Sequence, residues 1–130
     1  MSENRLSLGQ HQRLKKTAEF DAVYNLKKSV SDAQLILFGK KNELPLSRIG
    51  LSVSKKHGNA VVRNRIKRML REAFRTRQLQ IPPGFDFVLV PRVGLELDLR
   101  LLQESIQKLT SRLARRISEQ KETRPAENLP

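Results

Sequence analysis

Cationic side chains recur at helical spacing in the middle of this chain. Residues 55–77 contain nine lysines and arginines and one acid, Glu72, so nine minus one leaves +8 of the chain's total of +13. Four of these cations stand four residues apart, at Arg63, Lys67, Arg71 and Arg75. Like charges at that spacing cost a helix roughly 0.2–0.5 kcal/mol per pair. Because the planar guanidinium fork binds phosphate oxygens in a bidentate way, the pattern predicts a polyanion-binding surface.

Three other kinds of helix can show a similar pattern of basic residues: a solvated surface helix, a helix on a membrane surface and a DNA-reading helix. Ordinary solvated helix faces mix acids with bases and gain support from Glu–Lys pairs, unlike this segment. A helix on a membrane surface buries its apolar face in the lipid, often with tryptophan on that face. In a small domain the apolar face is needed for the core, and this chain has no tryptophan. The flanking segments look like strands, so no second helix is placed for a DNA-reading helix-turn-helix. Nucleic acid is therefore the first candidate partner and an anionic membrane surface the second.

The composition of the whole chain agrees with this order. Its 130 residues suit one domain. Lysine and arginine number 26 against 13 acids, and the isoelectric point is near 10.9. A charge of this size in a short chain indicates a partner of opposite sign.

Hydrolytic chemistry needs a metal cluster or an acid–base pair, and the sequence indicates neither. There is no cysteine. Of the two histidines, His11 lies in a polar arm and His57 in a turn, where we expect a surface position. The acids are scattered, and Asp86 in a predicted strand is expected to face the domain surface. We predict no catalytic residue, no metal site and no cofactor bound by the protein itself.

The first half of the chain predicts a short helix, then one or two strands, and then a further strand. Thr17 is expected to cap a helix on which Phe20, Val23 and Tyr24 share one face. Residues 34–40 contain a continuous apolar run, which is typical of a strand buried on both faces. A polar loop with a proline follows this run.

Residues 48–54 alternate as a strand does. One face is apolar, and it carries Ile49, Leu51 and Val53. The other face carries only small groups, at Gly50, Ser52 and Ser54. That second face would let another group approach the sheet closely.

The second half predicts a long helix, a buried strand and a last helix. Asn59 is a good N-cap for a helix from about residue 60 to about residue 77, and residues 85–90 form the strand. A helix beginning near Asp98 has an apolar stripe formed by Leu102, Ile106, Leu109, Leu113 and Ile117. The order αβββαβα is that of an α+β fold, a small α-β sandwich.

The two ends of the chain are polar. We expect residues 1–12 to be a flexible N-terminal arm, residues 13–118 to be a single nucleic-acid-binding domain, and residues 119–130 to be a disordered C-terminal tail. No apolar run approaches the roughly 20 residues that a membrane span needs, and the N-terminus lacks the apolar stretch of a signal peptide. The expectation is a cytoplasmic protein without a membrane partner.

The basic segment carries a resemblance to a known family. Residues 55–75 read KKHGNAVVRNRIKRMLREAFR, which closely resembles the signature of the protein subunit of bacterial ribonuclease P, with its Arg-Asn-Arg core followed by Lys-Arg. The preceding GLSVS at residues 50–54 and the early RLKK at residues 13–16, followed by Phe20, also match. The resemblance covers about residues 13–118.

The resemblance implies a fold and a division of labour. It implies a ribosomal-protein-like sandwich with a left-handed β-α-β crossover, an exception to the usual hand. It implies that an RNA subunit, using Mg²⁺, removes the 5′ leader from precursor tRNA, while the protein binds that RNA and the leader. One protein per catalytic RNA is expected, and the chain alone is not expected to be active.

The resemblance also implies two sets of site residues. The set expected against the catalytic RNA is Lys55, Lys56, Arg63, Asn64, Arg65, Lys67, Arg68, Arg71 and Arg75. The set expected to line a leader-binding cleft between the first helix and the sheet is Lys16, Phe20, Tyr24, Phe38, Ser52 and Ser54. Aromatic rings and cations suit a single strand of any sequence, although these three aromatic residues could equally be ordinary core.

Two alternatives share the same charge pattern. A ribosomal or ribosome-assembly protein would bind ribosomal RNA without affecting tRNA maturation. A protein-only nuclease would cleave RNA with magnesium alone, and the sequence lacks a site for it.

Overall fold

Three helices and one four-stranded sheet make up the part of the chain that the structure, a computed structural model, describes. This part is residue 9 and residues 12–127, with the backbone alone from residue 119 onward. The elements are α1 Thr17–Leu26, β1 Ser29–Ser31, β2 Leu35–Lys41, β3 Arg48–Leu51, α2 Ala60–Arg77, β4 Phe85–Pro91 and α3 Leu99–Glu127, with 3-10 turns at Lys55–His57 and Gln78–Gln80. The predicted α+β order is confirmed. None of the helices described is long and apolar enough to cross a membrane.

The sheet has the strand order β1-β2-β4-β3. β1 and β4 both pair antiparallel with β2, whereas β3 lies parallel to β4. Because β3 and β4 are parallel neighbours, the chain between them, which contains α2, is a β-α-β crossover. The left hand of that crossover stays a prediction.

The main core lies between one face of the sheet and the helices α2 and α3. Alternate residues of the strands point into it, including Leu35 and Leu37 of β2 and Phe87 and Leu89 of β4, all fully buried. α2 contributes the predicted apolar side. The stripe predicted for α3 is confirmed as buried at Leu102, Ile106, Leu109, Leu113 and Ile117. Seventeen of the described residues form this cluster, and α2 contributes Leu70, Ala73 and Phe74 to it.

The opposite face of the sheet is covered by α1 alone and by the segment before it. In the part of the chain that the structure describes, three buried residues form the cluster there: Leu14, Val23 and Val88. Phe20 and Tyr24 of α1 are partly buried against it, together with Phe38 of β2. The apolar contact that holds α1 is therefore much smaller than the contact that holds α2 and α3.

Helix starts agree with the sequence at two positions and differ at a third. The Asn59 side chain accepts a hydrogen bond from the Val62 amide at 3.0 Å, which confirms it as the N-cap of α2. Asp98 accepts one from the Leu101 amide at the start of α3. The prediction for α1 was wrong: Thr17 is its first helical residue, and the carboxylate of Glu19 accepts hydrogen bonds from backbone amides before it.

Asp86 differs from its predicted surface position. It lies on the α1 side of β4 and is 3% exposed. Arg48 of β3 donates two hydrogen bonds to its two carboxylate oxygens, at 2.8 and 2.7 Å, and Asn42 donates a third at 2.9 Å. A buried carboxylate is stable only with such partners, and the arginine that supplies them is distant in sequence.

The C-terminal segment also differs from expectation. α3 continues past residue 119 as far as Glu127, into the segment expected to be a disordered tail. The segment contains glutamate, glutamine, lysine, arginine and alanine, all strong helix formers. Most of the expected N-terminal arm lies outside the described residues.

Gly50 provides a test of how α1 packs. A Cβ built at this position would lie 2.6 Å from Cζ of Phe20, so Gly50→Ala should force that ring away and lower the free energy of unfolding by about 1–3 kcal/mol. Urea denaturation measures this loss. In a Phe20→Ala background the same substitution should cost much less. Equal losses in both backgrounds would show that the ring does not rest on Gly50.

Candidate nucleic-acid interface

The turn between β3 and α2 is fixed by a histidine and a serine. The Ser54 amide donates to Nδ1 of His57 at 3.1 Å, and the Ser54 hydroxyl accepts from the Lys56 amide at 3.3 Å. Nε2 of His57 lies 2.8 Å from the Pro91 carbonyl oxygen, so the partners fit a neutral ring with its hydrogen on Nε2. His57 is half-buried rather than at the surface as expected, and it ties Lys55 and Lys56 to the end of β4.

The basic face of α2 is divided between two directions. Asn64, Arg65 and Arg68 are exposed to solvent, whereas Lys67 and Arg71 are partly buried. This division follows from docking, since the apolar side of α2 faces the core and one flank of the helix adjoins the segment before α1. Arg63 and Arg75 are also partly buried, so the predicted residues of α2 form an exposed group of three and a partly buried group of four.

Most of these cations lack a neutralising acid. No ion pair joins Arg63, Arg65, Lys67, Arg68 or Arg71 to a carboxylate of a described residue. Arg75 differs, because Glu72 accepts its hydrogen bonds at 3.0 and 2.6 Å. That contact raises the pKa of Arg75 and lowers the pKa of Glu72. The uncompensated charge is thus concentrated in the N-terminal two thirds of α2.

A cavity of about 240 Å³ lies where α2 meets the segment before α1. Among the described residues, four cationic side chains and no acid line it. Lys67 and Arg71 come from α2, and Arg13 and Lys15 come from the N-terminal segment. Apolar groups of Leu14, Phe20, Ile49 and Leu51 form the remainder of its wall.

The electrostatics of the cavity are unfavourable in the free protein. Partial burial, together with repulsion from Arg13, lowers the pKa of Arg71 below its ordinary value. Both effects disfavour the charged guanidinium, and a bound anion would offset both. The cavity is therefore an arrangement of charges suited to a phosphate group.

Arg13 and Lys15 are functional candidates that the sequence prediction of site residues missed. Residue 13 bridges to Ile49 in parallel, and the Leu14 amide donates to the Ile49 carbonyl at 2.8 Å, so this segment is extended beside β3. In extended chain alternate side chains point to the same side. Leu14 is buried, and that places its two basic neighbours together on the opposite side. The pattern basic-apolar-basic was the available signal.

The three predicted cleft aromatics share the face of the sheet that α1 covers. The Tyr24 and Phe38 rings meet edge to face, with centroids 5.0 Å apart. Phe20 rests on Gly50 and lines the cavity. The small face of β3 is thus occupied at Gly50 by a side chain of this chain itself. All three rings are partly exposed, so they combine a core role with an accessible surface.

The polar cleft candidates lie in different settings. Lys16 is exposed at the N-cap of α1. Ser52 extends the pairing of β3, since its amide donates to the Leu89 carbonyl at 3.0 Å. Ser54 is exposed, and its hydroxyl belongs to the turn that carries Lys55 and Lys56. Among the described residues no three histidines or acids come together in a group that could hold a metal ion.

A small basic α+β domain with a cationic cavity beside an arginine-rich helix has the surface of a nucleic-acid-binding protein. Comparisons with known proteins specify it further. The ribonuclease P family model matches residues 8–114. The ribonuclease P protein component of a Thermoanaerobacter species is 42% identical over 98 residues, covering 75% of this chain and 84% of the relative. That of Bacillus cereus is 52% identical over 81 residues, covering 62% and 70%.

Solved structures agree with the sequence matches. The RNase P protein from Thermotoga maritima superposes with a TM-score of 0.71 at 33% identity, covering 77% of this chain and 96% of that one. The RNase P protein of Staphylococcus aureus gives 0.68 at 34% identity, covering 79% and 94%. The chain therefore belongs to the ribonuclease P protein family. It is an accessory subunit of a ribonucleoprotein endoribonuclease of tRNA processing, and its partner is the ribonuclease P RNA. Nothing in the comparisons favours the ribosomal alternative.

The cavity generates a prediction about the free protein. Arg13→Gln should raise its free energy of unfolding at low salt by about 0.2–1 kcal/mol, because it removes repulsion between partly exposed charges. Inorganic phosphate, which stabilises the form that binds it, should raise the melting temperature less for this variant than for the unsubstituted protein. Arg112→Gln is the control, because it makes the same change in charge at an exposed position of α3 away from the cavity. Equal phosphate shifts in all three proteins would count against a phosphate site in the cavity.

Proposed function

We propose that the protein binds two RNA elements with two adjoining surfaces. The solvent-facing part of α2, with the turn before it, binds the backbone of the ribonuclease P RNA. The face of the sheet covered by α1 binds the 5′ leader of precursor tRNA. The observation that carries this proposal is the cavity that joins the two surfaces, with four cations and no acid around it.

The surface for the catalytic RNA consists of basic side chains and one amide. Its members are Lys55, Lys56, Arg63, Asn64, Arg65, Lys67, Arg68, Arg71 and Arg75. A row of this length follows consecutive phosphates, and backbone contacts of this kind position an RNA without reading its sequence. Arg75 contributes less than the others, because Glu72 already neutralises it.

The leader surface combines aromatic and cationic groups. Lys16 at the start of α1 is positioned for a phosphate, while the exposed edges of Phe20, Tyr24 and Phe38 offer faces for stacking. Ser52 and Ser54 continue this surface toward the turn before α2. Stacking and phosphate contacts tolerate any base sequence, and precursor tRNAs differ in their leaders.

The chemistry of cleavage is assigned to the RNA. We infer that the Mg²⁺ ions belong to the RNA component and that the protein itself binds no cofactor. The protein contributes charge neutralisation between two polyanions and a fixed position for the leader. A cytoplasmic location and one protein per catalytic RNA complete the proposal.

Two variants test the surface for the catalytic RNA. Arg65→Ala and Arg68→Ala should weaken binding to a bacterial ribonuclease P RNA. Each should reduce the slope of log affinity against log salt by about 1, because each removes a phosphate contact. Both sites are exposed, and alanine favours helix, so circular dichroism should be unchanged. Arg112→Ala is the control. Affinity equal to that of the control at moderate salt would remove these residues from the interface.

A substrate pair tests the leader surface. The reconstituted holoenzyme should bind precursor tRNA with a leader more tightly than tRNA without one, and Lys16→Ala should reduce that ratio while leaving affinity for the catalytic RNA unchanged. The ratio isolates the leader, since both substrates share the tRNA body. A ratio of one for the unsubstituted protein would contradict leader binding.

A further inference from the structure

A polar network joins four segments of the chain on the α1 side of the sheet. Its centre is Asp86, 3% exposed, which receives a two-pronged contact from Arg48 and a hydrogen bond from Asn42. Asn42 also donates to the Leu46 carbonyl at 3.2 Å. The network therefore fixes β4, β3 and the loop before β3 to one another.

The same arginine reaches α1. Its Nη1 donates to Oε2 of Glu19 at 3.2 Å. The other oxygen of Glu19 accepts from the Lys15 and Lys16 amides at 2.9 and 3.1 Å. Glu19 thus connects the start of α1 and the basic segment before it to Arg48.

Glu19 is held in its ionised form. The Lys15 amide, then the Lys16 amide, and to a smaller extent Arg48, lower the pKa of the Glu19 carboxyl. The contact with Arg48 is therefore closed as an ion pair at neutral pH. Hydrogen bonds to Asp86 in turn raise the pKa of Arg48.

The network matters because little else holds this end of α1. Among the described residues, the buried apolar contact here consists of Leu14 of that segment, Val23 of α1 and Val88 of the sheet. Phe20 follows Glu19 directly in the sequence. Lys15 and Lys16 precede Glu19 by four and three residues, respectively. A shift of the Glu19 carboxylate would therefore move two members of the leader surface, Phe20 and Lys16, together with Lys15 of the cavity.

Arg48 differs from the other basic residues near the site. Its Nε, Nη1 and Nη2 all donate to carboxylates, whereas no acid of the described chain pairs with Arg65 or Arg68. A guanidinium occupied in this way is poorly placed to bind phosphate.

We propose that Glu19, Arg48 and Asp86 are positioning residues that set the place of α1 over the sheet, and through it the geometry of the leader surface, without contacting RNA. The inference rests on the proposed leader surface for its effect on function. The part of the proposal that concerns the position of α1 does not depend on RNA binding and can be tested on the free protein.

The direction in which Glu19→Gln changes RNA affinity distinguishes a positioning role of Glu19 from a simple effect of its charge. Glu19→Gln breaks the ion pair with Arg48 but leaves the contacts between Arg48 and buried Asp86, so the sheet should fold. It also makes the protein more positive by one charge. Charge alone predicts tighter binding of any RNA, whereas positioning predicts weaker binding of the leader. Asp21→Asn, an exposed acid on α1 outside the network, makes the same change in charge and is the matched control.

The position of α1 can be followed without RNA. Tyr24 is the only tyrosine and the chain has no tryptophan, so intrinsic tyrosine fluorescence reports on α1 alone. We expect acrylamide to quench Tyr24 more strongly in Glu19→Gln than in the unsubstituted protein or Asp21→Asn. Arg48→Lys, which keeps the charge but loses the fork, should change quenching in the same direction. Equal quenching in Glu19→Gln and Asp21→Asn would overturn the proposal.

The functional half is measured on the reconstituted holoenzyme, as the ratio of affinities for precursor tRNA with and without a leader. Glu19→Gln should lower this ratio about two- to fivefold, the size expected from one partly exposed ion pair, with affinity for the catalytic RNA not reduced. Asp21→Asn should leave the ratio unchanged or raise it. Equal ratios for the two variants would overturn the positioning role. A ratio of one in the unsubstituted holoenzyme would refute leader binding itself, and with it the effect of the network on function, while Tyr24 quenching still decides the position of α1.

Discussion

The structure depends on one electrostatic constraint: α2 must pack one side into the core while keeping a row of cations without partners on the other. Clustered like charge destabilises a folded chain, and an arginine row without acids gains nothing from i,i+4 pairing. The helix tolerates this because its other side packs into a cluster of seventeen buried residues. Burial on that scale outweighs repulsion between exposed charges, which are screened by solvent. The large core therefore makes an uncompensated basic face possible.

The two faces of the sheet differ in the amount of apolar surface that they bury. The face covered by α2 and α3 contains most of the buried apolar residues, and α3 adds no predicted site residue. The face covered by α1 has three buried residues and partly exposed aromatic rings. A face with so small an apolar contact needs a second means of fixing its helix, and the ion pairs around Arg48 provide one. Their low exposure favours a defined geometry, although such pairs add little net stability.

The sequence predicted the fold well because its signals were local and strong. Helical periodicity placed α2 and α3, alternation placed β3, and apolar runs placed β2 and β4. The charge row indicated a polyanion before any family resemblance was considered. The predictions that failed involve partners distant in sequence: Asp86 is buried because Arg48 and Asn42 reach it, and His57 is half-buried because the Pro91 carbonyl lies beside it. Arg13 and Lys15 escaped the list of site residues because only the docking of their segment beside β3 brings them to Lys67 and Arg71.

The central claim is that this chain positions RNA and does not cleave it. The most direct test incubates precursor tRNA with Mg²⁺ at near-physiological ionic strength in three mixtures: protein alone, a bacterial ribonuclease P RNA alone, and both together. The account predicts no cleavage by the protein, and cleavage at the mature 5′ end that requires the RNA and is strongly enhanced by the protein. Cleavage by the protein alone would contradict it, and so would an RNA activity that the protein leaves unchanged.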